Sequence, residues 1–271
     1  MTPMHRWVGG KRRLAYTIRA LMPPCRGKHI EPFLGGGAVL WQRLAAGEAT
    51  VALAGDVNPH LINLWDQLAL RPVELHQALS ALPRGMSEYR RNQRRLNELP
   101  AHGPESAALT LWLLAAGFNG LWRVNRAGQH NVPPGDQAVV RLPGEQELLA
   151  RSRLLGRAYF ACCDFEDLLE RAVPGDQVYA DPPYLPGEGA STFTSYSAGG
   201  FGFEQHERLV KALAELAQRG VLCVASGRWT AEAMDLYRST GARVYTAAQL
   251  HCVGASGDSR GQVGEILAVW R

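Results

Sequence analysis

KHIEPFLGGGAVLWQRLAAGEATVALAGDVN, residues 28–58, reads as a strand, a glycine turn, a helix and a second strand. Its apolar runs are short, bounded by Gly and Pro, and separated by a segment of helical period. PHLINLWDQLAL then continues as a helix, and the same rhythm resumes after residue 145. There EQELLARSRLLG, EDLLERAV, EQHERLVKALAELAQRG and TAEAMDLYRST carry the helical pattern, while AYFACCDF, DQVYADPP, VLCVASG, RVYTAAQL and GEILAVWR read as strands. Such alternation predicts an α/β fold: a doubly wound, mostly parallel sheet with helices on both faces and an antiparallel pair closing one edge.

Residues 61–147 break that rhythm with arginine-rich helical stretches, the apolar helix TLWLLAAGF, and NGLWRVNRAGQHNVPPGD. The last piece is rich in Asn, Gly, Arg and Pro, which predicts a long loop or short hairpin exposing polar side chains. The chain is therefore expected to hold one sheet domain in two parts, 1–60 and 148–271, around an insertion, 61–147, with its own task.

A length of 271 residues with 46% hydrophobic and 20% charged side chains suits a globular chain with a real core, not a disordered one. No apolar run approaches the roughly 20 residues of a membrane span. The basic start MTPMHRWVGGKRR lacks an apolar signal core, so a cytoplasmic protein is expected. Five cysteines without CxxC pairs fit a reducing compartment and no zinc site, with Cys162 and Cys163 facing the core and rim of one strand. A net charge of +4 says little, but its distribution says more. Arg6, Lys11, Arg12 and Arg13 cluster without an acid, and RGMSEYRRNQRR (84–95) carries five arginines against Glu88. Both fit a phosphate-binding face, and a solvated helix surface explains the second equally well.

In an open parallel sheet, ligands bind beyond the carboxyl ends of the strands. Three of those ends stand out. EPFLGGGA lets a ligand approach the backbone but lacks the GxGxxG spacing, and a plain tight turn would look the same. Asp56 in GDVN follows about 20 residues later, where an acid accepts from ribose hydroxyls or simply caps a helix. Together they favour an adenosine-containing cofactor, with a nicotinamide cofactor still open. In ADPPY the prolines take the backbone out of the sheet with fixed geometry, which leaves Asp181 and Tyr184 projecting from its edge.

RWVGGK (6–11), EPFLGGG (31–37) and DPPY (181–184) resemble the Dam-like amino-methyltransferases that modify adenine N6 in DNA. NGLWRVNRAGQHNVP (119–133), with its NGL-x-R-x-N core and trailing NVP, is similar to that family's target-recognition segment. The resemblance spans most of the chain and loosens toward the C-terminus. It implies a Rossmann-like methyltransferase fold, S-adenosylmethionine as methyl donor, and no metal. It also implies double-stranded DNA as partner, read at a short, GATC-like site by a monomer, in a bacterial or phage-encoded protein working at the nucleoid.

An exocyclic adenine amine is a poor nucleophile because its lone pair is delocalised into the ring. A carboxylate and a carbonyl accepting its two N–H groups would localise that pair. The resemblance gives these roles to Asp181 and the Pro182 carbonyl, with Tyr184 stacked on the base. It carries cofactor contacts onto Trp7 and Lys11 near the methionine moiety, Phe33 and Gly35 in the loop, Asp56 on the ribose, Asp164 and Phe165 at the adenine, and Asp181 beside the methyl. DNA contacts fall on Arg6, Asn119, Leu121, Arg123, Asn125 and Pro133, with Arg123 suited to a guanine edge. The target must be turned out of the duplex to be reached.

The chain departs from the family in having Ser226-Gly227 where a Ser-Asn pair is expected, and in a long glycine-rich loop, 185–203, in which Phe193 and Tyr196 offer further stacking. Transfer to cytosine N4 or to RNA adenine is the nearest alternative chemistry. A glutamine-modifying relative would carry Asn at position 181, a nicotinamide oxidoreductase leaves DPPY unexplained, and a non-catalytic DNA-binding regulator would need a damaged DPPY.

Overall fold

The computed structural model describes residues 7, 11, 14–185, 200–246 and 264–271. Strands β1 (His29–Glu31), β2 (Ala52–Asp56), β3 (Ala158–Cys162), β4 (Gln177–Ala180), β5 (Leu222–Arg228), β6 (Arg243–Thr246) and β7 (Glu265–Trp270) form one sheet in the order β3-β2-β1-β4-β5-β7-β6. β1 to β5 pair in parallel, and β7 runs antiparallel between β5 and β6. The expected mixed α/β sheet is therefore present, with its antiparallel strand inserted one position in from the edge. β1 and β4 are neighbours from opposite windings, so the switch point lies between the glycine turn after β1 and the DPPY turn after β4.

Helices α1 (Ala15–Leu21), α2 (Ala38–Ala45) and α3 (Pro59–Leu70) lie on one face, and α8 (Phe165–Leu169), α9 (Phe203–Gln218) and α10 (Ala231–Ser239) on the other. Side chains alternate along a strand, so each strand divides between the two cores. Tyr179, Val224, Leu267 and Val269 pack with Leu14 and Ile18 on the α1 face. Val178, Ala180, Cys223 and Ala225 pack with Leu209 and Leu213 of α9 on the other. This parity also decides which side of the sheet Asp181 takes.

Local chemistry sets the helix starts at the carboxyl edge. Asn58 Oδ1 accepts from His60 and Leu61 N–H at 3.1 and 3.3 Å, with Pro59 at the first turn of α3. Asp164 caps α8 through Glu166 N–H at 3.0 Å, and Thr230 caps α10. Each such cap is worth about 1 kcal/mol.

Between α3 and β3 come α4 (Pro72–Ser80), α5 (Tyr89–Glu98), α6 (Gly103–Ala116) and α7 (Glu145–Leu154). α6 is apolar on nearly every side because α3, α4 and α5 all pack on it. These helices share one continuous core with β2 and α2, centred on Trp41, Trp65 and Trp112. The two adjacent cysteines divide between rim and core, with Cys162 exposed and Cys163 half-buried. β3 is the edge strand, so Cys162 at its end stays at the rim, while Cys163 packs against the core under α8 and α9. Among the described residues, no helix is long and apolar enough to cross a membrane and no cluster of metal-ligating side chains forms.

Candidate active site

Asp181 follows β4 directly and falls on the α1 face, where Lys11 arrives just ahead of α1. Lys11 Nζ lies 2.8 Å from Asp181 Oδ1 and donates to Tyr184 Oη at 2.9 Å. Tyr184 Oη in turn donates to Glu265 Oε1 at 2.7 Å, and Lys11 Nζ is 3.6 Å from the same oxygen. On its inner side Asp181 Oδ1 accepts from Ser226 Oγ at 2.8 Å, and Ser226 Oγ lies 2.9 Å from Tyr179 Oη. Lys11 is buried, whereas the Asp181 side chain keeps 23% of its surface. The acid is thus held from behind and open in front.

Burial pushes the Asp181 carboxyl above its ordinary range, against the pull of Lys11 and Ser226. Burial alone would depress Lys11, but Asp181 and Tyr184 hold its ammonium above the usual lysine value. The Tyr184 hydroxyl is pushed up to about 12, mainly by burial. This yields a charged lysine, a neutral phenol and a carboxylate with raised proton affinity.

Around the glycine turn the structure explains the missing side chains. Gly35 (φ 47°) and Gly37 (φ 60°) take left-handed conformations. A Cβ on Gly35 would lie 2.6 Å from Trp7 Nε1, and one on Gly37 would lie 2.6 Å from Trp65 Cη2. The turn is sandwiched between two indoles, and Trp65 Nε1 donates to Gly35 O at 3.2 Å. Asp56 joins this turn to β2: Oδ2 accepts Gly35 N–H and Oδ1 accepts Asn58 N–H, both at 3.0 Å. Burial raises its pKa against those amides.

Phe33 stacks on Phe165 at 5.5 Å, and Phe201 meets both edge-on. Asp164 beside them is 46% exposed. The tips of β3, β2, β1 and β4 therefore present Asp164, Asp56, the glycine turn and Asp181 in a row of roughly 14 Å at ordinary strand spacing.

Residues 118–135 form the expected hairpin, closed by Asn131 N–H on Arg123 O at 3.1 Å and Asn125 N–H on Gln129 O at 2.9 Å. Asn125 shapes its tip, with Oδ1 accepting Ala127 and Gln129 N–H. Arg123 donates through Nε to Asn131 Oδ1 at 2.8 Å and through Nη2 to Asn131 O at 2.9 Å, which fixes its plane and leaves Nη1 clear of these bonds. Asn119 (φ 54°) and Pro133 are exposed, and Leu121 is half-buried. Trp122 is tucked between His130 and His60, at 4.9 and 5.8 Å. His60 opens α3 just past the tip of β2, so the hairpin is anchored at the same end of the sheet as Asp56.

A mount for the hairpin was missed in the sequence. Tyr89, Gln93 and Asn97 recur every fourth residue along one face of α5. Tyr89 Oη and Gln93 Nε2 donate to Val132 O at 3.0 and 2.8 Å, while Asn97 bonds both His130 N–H and His130 O. Arg90, Arg91, Arg94 and Arg95 occupy the exposed face. The spacing of four was the available signal. Ser226, Tyr179 and Glu265 were likewise not read as site residues: parity gives the face of each strand they take, and the pairing of β5 with β4 and β7 brings them together. The Ser226-Gly227 departure has a steric cause: a Cβ at 227 would lie 3.0 Å from the Tyr237 hydroxyl. Arg6, Phe193 and Tyr196 lie outside the described residues.

His130 gives the mount a pH dependence. Its Nδ1 accepts from Gln93 Nε2 at 3.1 Å, and burial, with His60 and Arg123 nearby, lowers its pKa from 6.5 to about 4. The unfolded chain then binds this proton first. Stability is full above about pH 6.5 and falls as pH drops toward 4, by about 3 kcal/mol for this group. Urea unfolding of wild type and His130→Leu at pH 7 and pH 4.5 measures it: the loss on acidification should be smaller in the variant.

The sequence matches the model of the family "D12 class N6 adenine-specific DNA methyltransferase" over residues 7–251. Among curated proteins it is 33% identical to the Type II methyltransferase M1.LlaDCHI of Lactococcus lactis subsp. cremoris, covering 98% of this chain and 94% of that one. It is 34% identical to the DNA N-6-adenine-methyltransferase of Escherichia phage P1, covering 97% of this chain and 35% of that longer protein. It is 31% identical to the DNA adenine methylase of Vibrio cholerae serotype O1, covering 98% and 94%.

Proposed function

Since the chain belongs to the D12 class of N6 adenine-specific DNA methyltransferases, we propose that it methylates a flipped-out adenine within one short duplex site, at Asp181 and with the hairpin of residues 118–135 choosing the site. The enzyme class, an adenine-specific DNA methyltransferase, is that of the family, and membership implies S-adenosylmethionine as methyl source. The observation that carries the assignment of the centre is the half-open carboxylate of Asp181, bound on Oδ1 by Lys11 and Ser226.

Oδ2 of Asp181 makes no hydrogen bond among the described residues and is the natural acceptor for one amine N–H. The Pro182 carbonyl, in a turn whose prolines cannot rejoin the ladder, serves the other. Two acceptors draw the nitrogen toward a tetrahedral geometry, with its lone pair facing the donor. A carboxylate of raised proton affinity, open on one side, also suits the proton that the amine sheds on methylation. Tyr184, tied through its hydroxyl to Lys11 and Glu265, presents its ring for stacking.

S-adenosylmethionine, when bound, supplies a methyl group activated by a sulfonium. The row of strand tips fits so elongated a ligand: Asp164 with Phe165 and Phe33 would hold an adenine at one end, Asp56 the ribose, and the glycine turn with Trp7 and Lys11 the methionine moiety, next to Asp181. On the DNA side, residues 61–147 serve as the target-recognition unit within the two-part methyltransferase domain. Arg123 reads a guanine, Asn119, Leu121 and Pro133 complete the groove contacts, and Asn125 keeps the tip in shape. The α5 arginines contact phosphates, and a GATC-like site read by a monomer is the form of target we infer. The likeness of the relatives favours adenine over cytosine N4 and over RNA.

The test is to supply unmethylated plasmid DNA and labelled S-adenosylmethionine, then map the modified bases by sequencing. N6-methyladenine at one short motif is the expected result. Label in cytosine, or scattered over adenines without a motif, would overturn the reading.

A further inference from the structure

We infer that Tyr179 and Ser226 form a relay of hydroxyls that orients the Asp181 carboxylate, with Oδ1 taken up inside the protein and Oδ2 directed to the substrate. The inference rests on the reading of Asp181 as the amine's acceptor.

Strand parity builds this relay. Tyr179 lies two residues before Asp181, on the same face of β4, and Ser226 is two residues beyond Val224, the register partner of Tyr179 on β5. Ser226 is fully buried and Tyr179 is 3% exposed. Ser226 Oγ donates to Asp181 Oδ1 at 2.8 Å, so its single proton is committed. The 2.9 Å contact with Tyr179 then runs one way, from the tyrosine hydroxyl to Ser226 Oγ. Lys11 Nζ meets the same Oδ1. A carboxylate anchored through one oxygen by two donors has its plane set. Without Ser226, rotation about the Cβ–Cγ bond would let both oxygens turn toward Lys11.

Tyr179 and Ser226 do not touch the substrate in this scheme and are positioning residues. The other charged or titratable groups facing Asp181 are Lys11, Tyr184, Glu265 and Tyr237. All of them remain when Ser226 is changed. Losing the serine donor removes one of the contacts that favour the ionised acid, so the pH at which Asp181 loses its proton rises.

The experiment is single-turnover methyl transfer on unmethylated plasmid DNA with labelled S-adenosylmethionine, between pH 5 and 9, for wild type, Ser226→Ala, Tyr179→Phe and Asp181→Ala. Ser226→Ala should lower the plateau rate roughly tenfold and move the acid limb up by roughly one pH unit. Tyr179→Phe, which removes one oxygen, should do the same more weakly and keeps the test in force should Ser226→Ala not fold. An acid limb at the wild-type position in a folded variant overturns the relay. Asp181→Ala separates the two failures: if it turns over normally, the reading of Asp181 itself falls, and if it is dead while the limb stays in place, only the relay does.

Discussion

Asp181→Ala is expected to lower single-turnover methyl transfer about a thousandfold while affinities for duplex DNA and S-adenosylmethionine change only a few-fold. The magnitude follows from losing an acceptor aimed at developing positive charge in a partly dry site, where one such group is worth about 10²–10³ in rate, together with the proton acceptor it provides. Binding should survive because the α5 arginines, the hairpin and the other strand tips are untouched. The change also deprives buried Lys11 of a carboxylate at 2.8 Å, while Glu265 stays 3.6 Å away. Some stability is lost as well, so circular dichroism and a melting curve belong with the rate. A folded, DNA-binding variant with wild-type turnover would show that the amine is not held by this acid.

Arg123→Ala is expected to flatten sequence preference by about 1–3 kcal/mol at one base pair while non-specific affinity and its salt dependence barely move. The side chain is already immobilised by two hydrogen bonds to Asn131, so the entropy of aligning the guanidinium is lost before DNA arrives. In the proposed readout, Nη1 and the second hydrogen of Nη2 would offer the end of the fork to the O6 and N7 acceptors of a guanine. Competition binding between cognate duplexes and duplexes with single base changes, at two salt concentrations, checks this. A uniform loss across all duplexes, with a shallower salt slope, would instead make Arg123 a phosphate contact.

The sheet and the turns after β1 and β4 could be read because their causes are local. A glycine run between apolar segments, a proline pair ending a strand, and Asn58-Pro59 opening a helix each determine the backbone within a few residues. Parity along β4 even fixes which face Asp181 takes. What escaped was set by distant pairing. Glu265 reaches Tyr184 from 81 residues away, and Ser226 reaches Asp181 from 45, only because β7 and β4 flank β5. Asp56 was visible as an acid at the right place, but its bond to Gly35 N–H, which ties the glycine turn to β2, depends on the loop's final shape. Which of Cys162 and Cys163 would take the rim was not legible, because nothing local reveals that β3 would be the edge strand.

The bonds that α5 makes to the hairpin go to main-chain atoms of His130 and Val132, with one further contact to the His130 ring. A support that grips the backbone is largely indifferent to the side chains displayed beyond it. Exposed side chains along the hairpin can therefore be exchanged one at a time without loosening its mount on α5. On the proposed reading of the hairpin as the unit that chooses the site, new target words would arise by respelling it, and the chemistry at the sheet edge need not change with them.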